Sequence, residues 1–164
     1  MTLRTHLQKA ASGLLRNRRL VRAPILIYRA RLGFMFGSRV LMLQHRGRNT
    51  GRHRYVVLEV IDNPAPNEYV VASGFGRRAQ WYRNIRHDPH VRVTIGSRRP
   101  VPAIARPLDA ERTRRALQRY ATRHPRAWKQ LKPVFEDVLG TPITADGAEL
   151  PLVLLIVDFG ADAQ

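Results

Sequence analysis

Two stretches of the chain combine residue types suited to holding an anionic ligand. The first is Gly47-Arg48-Asn49-Thr50-Gly51-Arg52-His53-Arg54. Its two glycines permit a tight turn and a close approach of backbone to ligand. Arg48 and Arg54 carry planar guanidinium forks that match phosphate oxygens, Thr50 adds a hydroxyl, and loop N–H groups can complete an anion nest. The competing reading is a solvated basic hairpin with no ligand. A P-loop is excluded, because no Gly-Lys-Ser/Thr closes a four-residue spacer. A dinucleotide fingerprint is excluded as well, because no βαβ unit follows.

The second stretch runs Ala72-Ser73-Gly74-Phe75-Gly76-Arg77-Arg78-Ala79-Gln80-Trp81-Tyr82-Arg83-Asn84-Ile85. It reads as a strand entering a glycine-rich turn and then a helix start. Helix N-termini attract anions, and Arg77 and Arg78 stand at this one. Trp81 and Ile85, four apart, share a helix face. For Trp81 and Tyr82 the competing reading is burial in the core.

Other chemistries find little support. The chain has no cysteine, which removes thiolate catalysis, disulfides and Cys-built metal sites, and fits a reducing cytosol. His87 and His90 are three apart, but Asp88-Pro89 between them breaks any helix that would aim both at one metal ion. No paired-carboxylate site and no Ser/His/Asp arrangement with a nucleophile elbow is visible. Tyr120 and His124 are the candidates for a proton donor, against a structural role for each; no catalytic acid or base is assigned.

Elements that must position these stretches follow from periodicity. Helices are expected over 2–22 and 24–36, the second with Pro24 in its first turn. Val40–Leu43 is a short apolar run, and the β-branched Tyr55–Ile61 predicts a buried strand. Asn63–Asn67, with two prolines, predicts a hairpin connection to a strand over Glu68–Ser73. A short helix is expected over Arg77–Arg86, stopped near Pro89. Val91, Val93 and Ile95 alternate with polar residues as a half-buried strand. Pro100 and Pro102 assign the returning strand, Val101–Arg106, to an edge or bulge. Asp109 caps a helix that ends at His124-Pro125, a further helix over Ala127–Leu139 closes at Gly140, and Leu152–Phe159 is the most apolar strand. The pattern is α+β or mainly β: an antiparallel small barrel with an N-terminal helix and peripheral helices. Residues 1–23 are expected to form a basic amphipathic helix, and 24–164 a single barrel domain.

The 164 residues carry 29 Lys+Arg against 12 Asp+Glu, a net charge of +17. Only Lys9, Lys129 and Lys132 are lysines, and the first acid is Glu59. Such a surface calls for a negative partner: nucleic acid, an anionic bilayer or a polyanionic small molecule. At 44% hydrophobic the chain is too apolar for a disordered basic tail. Aromatics make up only 7%, and no helix-turn-helix, RNP-like or zinc pattern occurs, so nucleic acid is the rival and not the expected partner.

The two stretches together resemble the split-barrel, deazaflavin-dependent nitroreductases and quinone reductases. The family pattern is an apolar strand, a Gly-Arg-x-Ser/Thr-Gly-x-x-Arg loop, a hairpin, then Ala-Ser, Trp-Tyr-x-Asn-Leu/Ile and Asn/Asp-Pro-x-Val-x-Val. It stands here at Gly47–Arg54, Ala72-Ser73, Trp81–Ile85 and Asp88–Val93. The resemblance implies a split β-barrel, the deazaflavin coenzyme F420 with its phosphate and oligoglutamate tail, and hydride transfer to an electron-poor quinone, activated alkene or nitro compound. It further implies that Arg48, Asn49, Thr50 and Arg54 hold the phosphate end. Ser73 and Gly74 approach the ring or its linker, and Trp81 and Asn84 line the ring edge. Family members often carry lysine at the positions of Asn49 and Gly74; Arg77 or Arg78 is expected to replace that charge. Where nitroreductases carry tyrosines after the first C-terminal helix, this chain has His124, Pro125, Arg126 and Trp128. The alternatives are FMN as the cofactor, or a non-catalytic protein that binds deazaflavin or flavin.

No run reaches the ~18 apolar residues of a spanning helix, and Leu14-Leu15 is too short for a signal-peptide core. A cytoplasmic enzyme is expected. Leu3, Leu7, Ala10, Ala11, Leu14 and Leu15 form an apolar stripe opposite arginines, which suits the inner face of an anionic membrane or packing on the core or a second subunit. Monomer and homodimer stay open, since split barrels commonly pair.

Overall fold

The structure, a computed structural model, describes residues 39–160 apart from 145, 146 and 148. The helices expected over 2–22 and 24–36 lie outside the described residues. Six strands follow in antiparallel pairing: β1 (Val40–Arg46), β2 (His53–Ala65), β3 (Glu68–Ala72), β4 (His90–Ile95), β5 (Val101–Pro107) and β6 (Leu152–Val157). Three helices join them: α1 (Gln80–His87) between β3 and β4, and α2 (Ala110–Arg123) and α3 (Pro125–Leu139) between β5 and β6. The strands close into a barrel in the order β1-β2-β3-β6-β5-β4. No helix among the described residues is long and apolar enough to cross a membrane.

Alternation along the strands explains the two cores. Inward-facing Leu41, Leu43, Val71, Val91, Val93, Ala103, Ala105, Val153 and Leu155 fill the barrel, joined by Ala79, Trp81, Tyr82 and Ile85 from α1 and its approach. The opposite faces of β3 and β6, with Val70, Ala72, Leu152 and Leu154, lie under Ala116, Leu117 and Tyr120 of α2 and the half-buried Trp128, Leu131 and Phe135 of α3. β6 reads as a continuous apolar run because both of its faces are covered. The valine, leucine and isoleucine side chains among these contribute roughly 1.5–3 kcal/mol each when fully buried.

Closure corrects one expectation. Val101–Pro107 is no edge strand: it pairs with β4 from His90↔Ile104 to Val93↔Val101, and with β6 from Ala103↔Val157 to Pro107↔Val153. Pro102 is tolerated inside the ladder with its side chain exposed, while its carbonyl accepts from the Asp158 N–H at 2.9 Å. A second correction concerns α1. Gly76–Arg78 forms a single 3-10 turn, Ala79 is extended at φ −54, ψ 131, and the helix starts only at Gln80. Elsewhere the expected caps are present. The Asp109 side chain accepts from the Arg112 N–H, and Gly140 ends α3 at φ 72.

Candidate functional site

The loop between β1 and β2 is shaped by its own backbone. The Gly47 N–H donates to the Arg52 carbonyl at 2.9 Å, and the Gly51 N–H to the Gly47 carbonyl at 2.7 Å. Gly51 adopts φ 64, a left-handed conformation open to glycine and costly for other residues. Across the loop mouth, Gln44 Nε2 and His53 Nδ1 are 3.0 Å apart.

This loop docks on α1 through Arg48 and two side-chain amides. Asn84 Oδ1 accepts from the Arg48 backbone N–H at 3.1 Å and from Arg48 Nη1 at 3.0 Å. Arg48 Nη1 also donates to Gln80 Oε1, one helical turn earlier, at 2.9 Å. Both Arg48 groups can only donate, so the carbonyl end of Asn84 must face them and its NH2 must point away. That NH2 meets His45 Nδ1 at 3.2 Å, inside the protein. Nδ1 of His45 is therefore the acceptor, and the ring is neutral with its proton on Nε2. Burial and the charge of Arg54 agree, holding His45 down at about 4.

The predicted site residues thus fall into groups. Arg48 and Asn84 meet directly, and they bring the two stretches together at one place. Asn49 and Thr50 are exposed on the same loop and Arg54 at the start of β2, and the Asn49 side chain has no partner among the described residues. Arg77 and Arg78 are exposed on the 3-10 turn. Ser73 is fully buried, and its hydroxyl is committed to the Gly76 carbonyl at 2.7 Å, so it shapes the turn. Gly74 lies against α3: a Cβ there would stand 3.0 Å from the Phe135 ring. Trp81 is 7% exposed and Tyr82 4%, both within the barrel core. Tyr120 and His124 belong to the layer outside the barrel wall. The buried Tyr120 hydroxyl donates to Glu59 at 2.6 Å, and burial beside that carboxylate pushes it well above the ordinary tyrosine range.

Sequence reasoning missed His45 and Gln80. The signal for His45 was present: period-two alternation puts it on the inward face with Leu41 and Leu43. Gln80 carries no such signal, because its role depends on a loop 32 residues away.

Charge at the site is one-sided. Among the described residues, none of the four arginines in 46–54 and none of the four in 77–86 forms an ion pair. Asp62 is engaged elsewhere, with Arg119 and Arg123 on α2, and Asp88 at the end of α1 pairs with His90, its carboxyl held low chiefly by the His90 N–H and also by Arg46. Donor forks without carboxylate partners, next to a glycine-shaped turn, fit a phosphate-bearing polyanion. A surface depression of about 290 Å³ on α2, lined by Arg115, Gln118, Arg119, Thr122 and Arg123, shares no residue with this site.

The barrel is shared by solved structures of low sequence identity. One described as an F420-H2 dependent reductase is 19% identical, with a TM-score of 0.50 over 71% of this chain and 93% of its own. Another, from Clostridium acetobutylicum and described as related to general stress protein 26 of the pyridoxinephosphate oxidase family, is 6% identical, with a TM-score of 0.52 over 80% and 83%. Together they define the fold as a split β-barrel. At the sequence level, residues 20–133 match the model of the F420H(2)-dependent quinone reductases, and the chain belongs to that family. A relative from Mycobacterium tuberculosis, Rv3178, named as a candidate F420H(2)-dependent quinone reductase, is 42% identical over 89 residues, 51% of this chain and 73% of its own. The protein is accordingly a deazaflavin-dependent reductase, and its cofactor is coenzyme F420.

Proposed function

We propose that this reductase passes a hydride to a planar, electron-poor acceptor of the quinone class, with the arginine loop holding the anionic tail of the coenzyme. The observation that carries the reading is the Arg48–Asn84 junction, which joins the two motif stretches into one basic site. When bound, the reduced deazaflavin supplies a hydride from its central ring carbon; the protein supplies binding, orientation and exclusion of water.

Within this reading the residues divide the work. Arg48, Asn49, Thr50 and Arg54 bind the phosphate and the first carboxylates of the tail. Arg77 and Arg78 supply the positive charge on the facing turn. Ser73 and Gly74 fix that turn, and Trp81 and Tyr82 form an apolar floor beneath it. Phe75, 42% exposed, offers an aromatic face at the same turn, which favours a flat acceptor.

The test is a fluorescence titration of oxidised coenzyme with purified protein, with FMN as competitor. The expected dissociation constant lies below 100 μM, about −5.5 kcal/mol, and FMN competes poorly for lack of the oligoglutamate tail. No binding in that range overturns the cofactor site. Oxidation of the reduced coenzyme is then followed with a quinone, an enone and a nitroaromatic. Turnover fastest with the quinone supports the acceptor class, and turnover with the nitroaromatic alone removes it.

A further inference from the structure

We infer that Asn84 acts as a positioning residue: its amide, oriented from below by His45, holds the Arg48 peptide and presents the Arg48 guanidinium to the anion that the loop receives. The inference rests on the binding role proposed for that loop and replaces the direct ring contact that the family resemblance assigns to Asn84.

Three observations carry it. First, both ends of the Asn84 amide are occupied by protein, the oxygen by two Arg48 donors and the nitrogen by His45 Nδ1. At 5% exposure it keeps little capacity for a ligand. Second, the chain of contacts has a fixed direction. A neutral His45 accepts from the Asn84 NH2, which leaves the Asn84 oxygen to the Arg48 donors; reversing the amide would set donor against donor at both ends. Third, Arg48 is held at its backbone and at one guanidinium nitrogen, by Asn84 and Gln80. Its remaining N–H groups are left to a ligand in a pre-set orientation, which lowers the entropy cost of binding. Burial first, and Arg54 on the paired strand second, disfavour protonation of His45 and keep its Nδ1 an acceptor.

The experiment is a double-mutant cycle read by coenzyme fluorescence, with circular dichroism confirming that each variant is folded. Arg48→Ala and Asn84→Leu are each expected to weaken coenzyme binding about tenfold, the size of one lost charge-assisted hydrogen bond. The double variant should lose no more than either single one, because Asn84 works through Arg48. His45→Leu, which removes the acceptor, should weaken binding, whereas His45→Asn, which keeps an acceptor atom at the Nδ1 position, should restore it. Multiplying losses in the double variant, or equal behaviour of the two His45 variants, overturns the inference. In ligand-free protein, the Arg48 amide proton should exchange slowly in the native chain and in His45→Asn, and quickly in His45→Leu; equal rates in all three also overturn it. This last reading needs no coenzyme. A native protein that fails to bind coenzyme therefore removes the functional proposal, while the exchange rates still decide the clamp.

Discussion

His45 shows how a single buried side chain can set a pH limit. Its folded-state value of about 4 lies below the ordinary 6.5. As pH falls through 6.5 the unfolded imidazole takes up a proton, whereas the folded one stays neutral until near 4. Stability is therefore complete above 6.5 and is lost on the way down. By pH 5 the loss amounts to about 2 kcal/mol, at 1.36 kcal/mol per pK unit. Urea midpoints from pH 7.5 to 4.5 should show this slope in the native protein and a shallower one in His45→Asn. Parallel curves would assign the slope to the carboxylates alone. At the same scale, replacing both Arg48 and Arg54 with alanine should weaken coenzyme binding by at least ~2 kcal/mol, since charge-assisted hydrogen bonds contribute ~1.5–3 each. Unchanged affinity in that titration would move the tail to another part of the surface.

Among the elements, β2 and α2 are joined by a carboxylate that a bulge has turned outward. The register slips between Val60 and Asp62, so that Ile61 and Asp62 are both buried and Asp62 meets Arg119 at 2.8 and 2.5 Å and Arg123 at 3.2 Å. Truncating both arginines to methionine would strand a buried carboxylate and should cost about 2 kcal/mol or more, moderated because the guanidiniums themselves are partly solvated. A thermal midpoint within a degree of the native value would refute that. Much of the element order was legible from local pattern. The Asp109 cap, the Gly140 stop and the Asn63–Asn67 connection each depend on residues within a few positions. The misplacements had longer-range causes. α1 starts three residues late because Ser73 pins the Gly76 carbonyl and no side chain caps the helix at Ala79. The β5 strand looked like an edge because prolines usually mark one, and only closure through β6 shows otherwise. The site was legible as two motifs, and the clamp between them was not: a contact between residues 48 and 84 leaves no trace in spacing.

At the level of the whole molecule, the excess of +17 is a long-range attraction for any polyanion. Coenzyme affinity should fall as salt rises, and more steeply for species with longer oligoglutamate tails, because each added carboxylate is a further screened contact. Titrations at 20 and 300 mM salt measure this, and a slope independent of tail length would confine recognition to the phosphate and ring. An anionic bilayer is a polyanion of the same kind, and vesicle binding tests whether the field reaches it. Thirteen of the cations precede the first acid at Glu59. Deleting residues 1–22 is expected to lower co-sedimentation with anionic vesicles, and undiminished pelleting would remove that segment from membrane contact.

Barrel closure has a further consequence, for how the protein comes apart. Every one of the six strands is flanked on both sides, so none can peel away without breaking two ladders at once. Peptide protons from all six should therefore report one shared opening event, with those of β1 and β4 as slow as those of β6. The turn at 47–52 carries none of those ladders, but the Arg48 bonds to Asn84 and Gln80 fasten it to the scaffold, so an arriving guest meets a surface already in place.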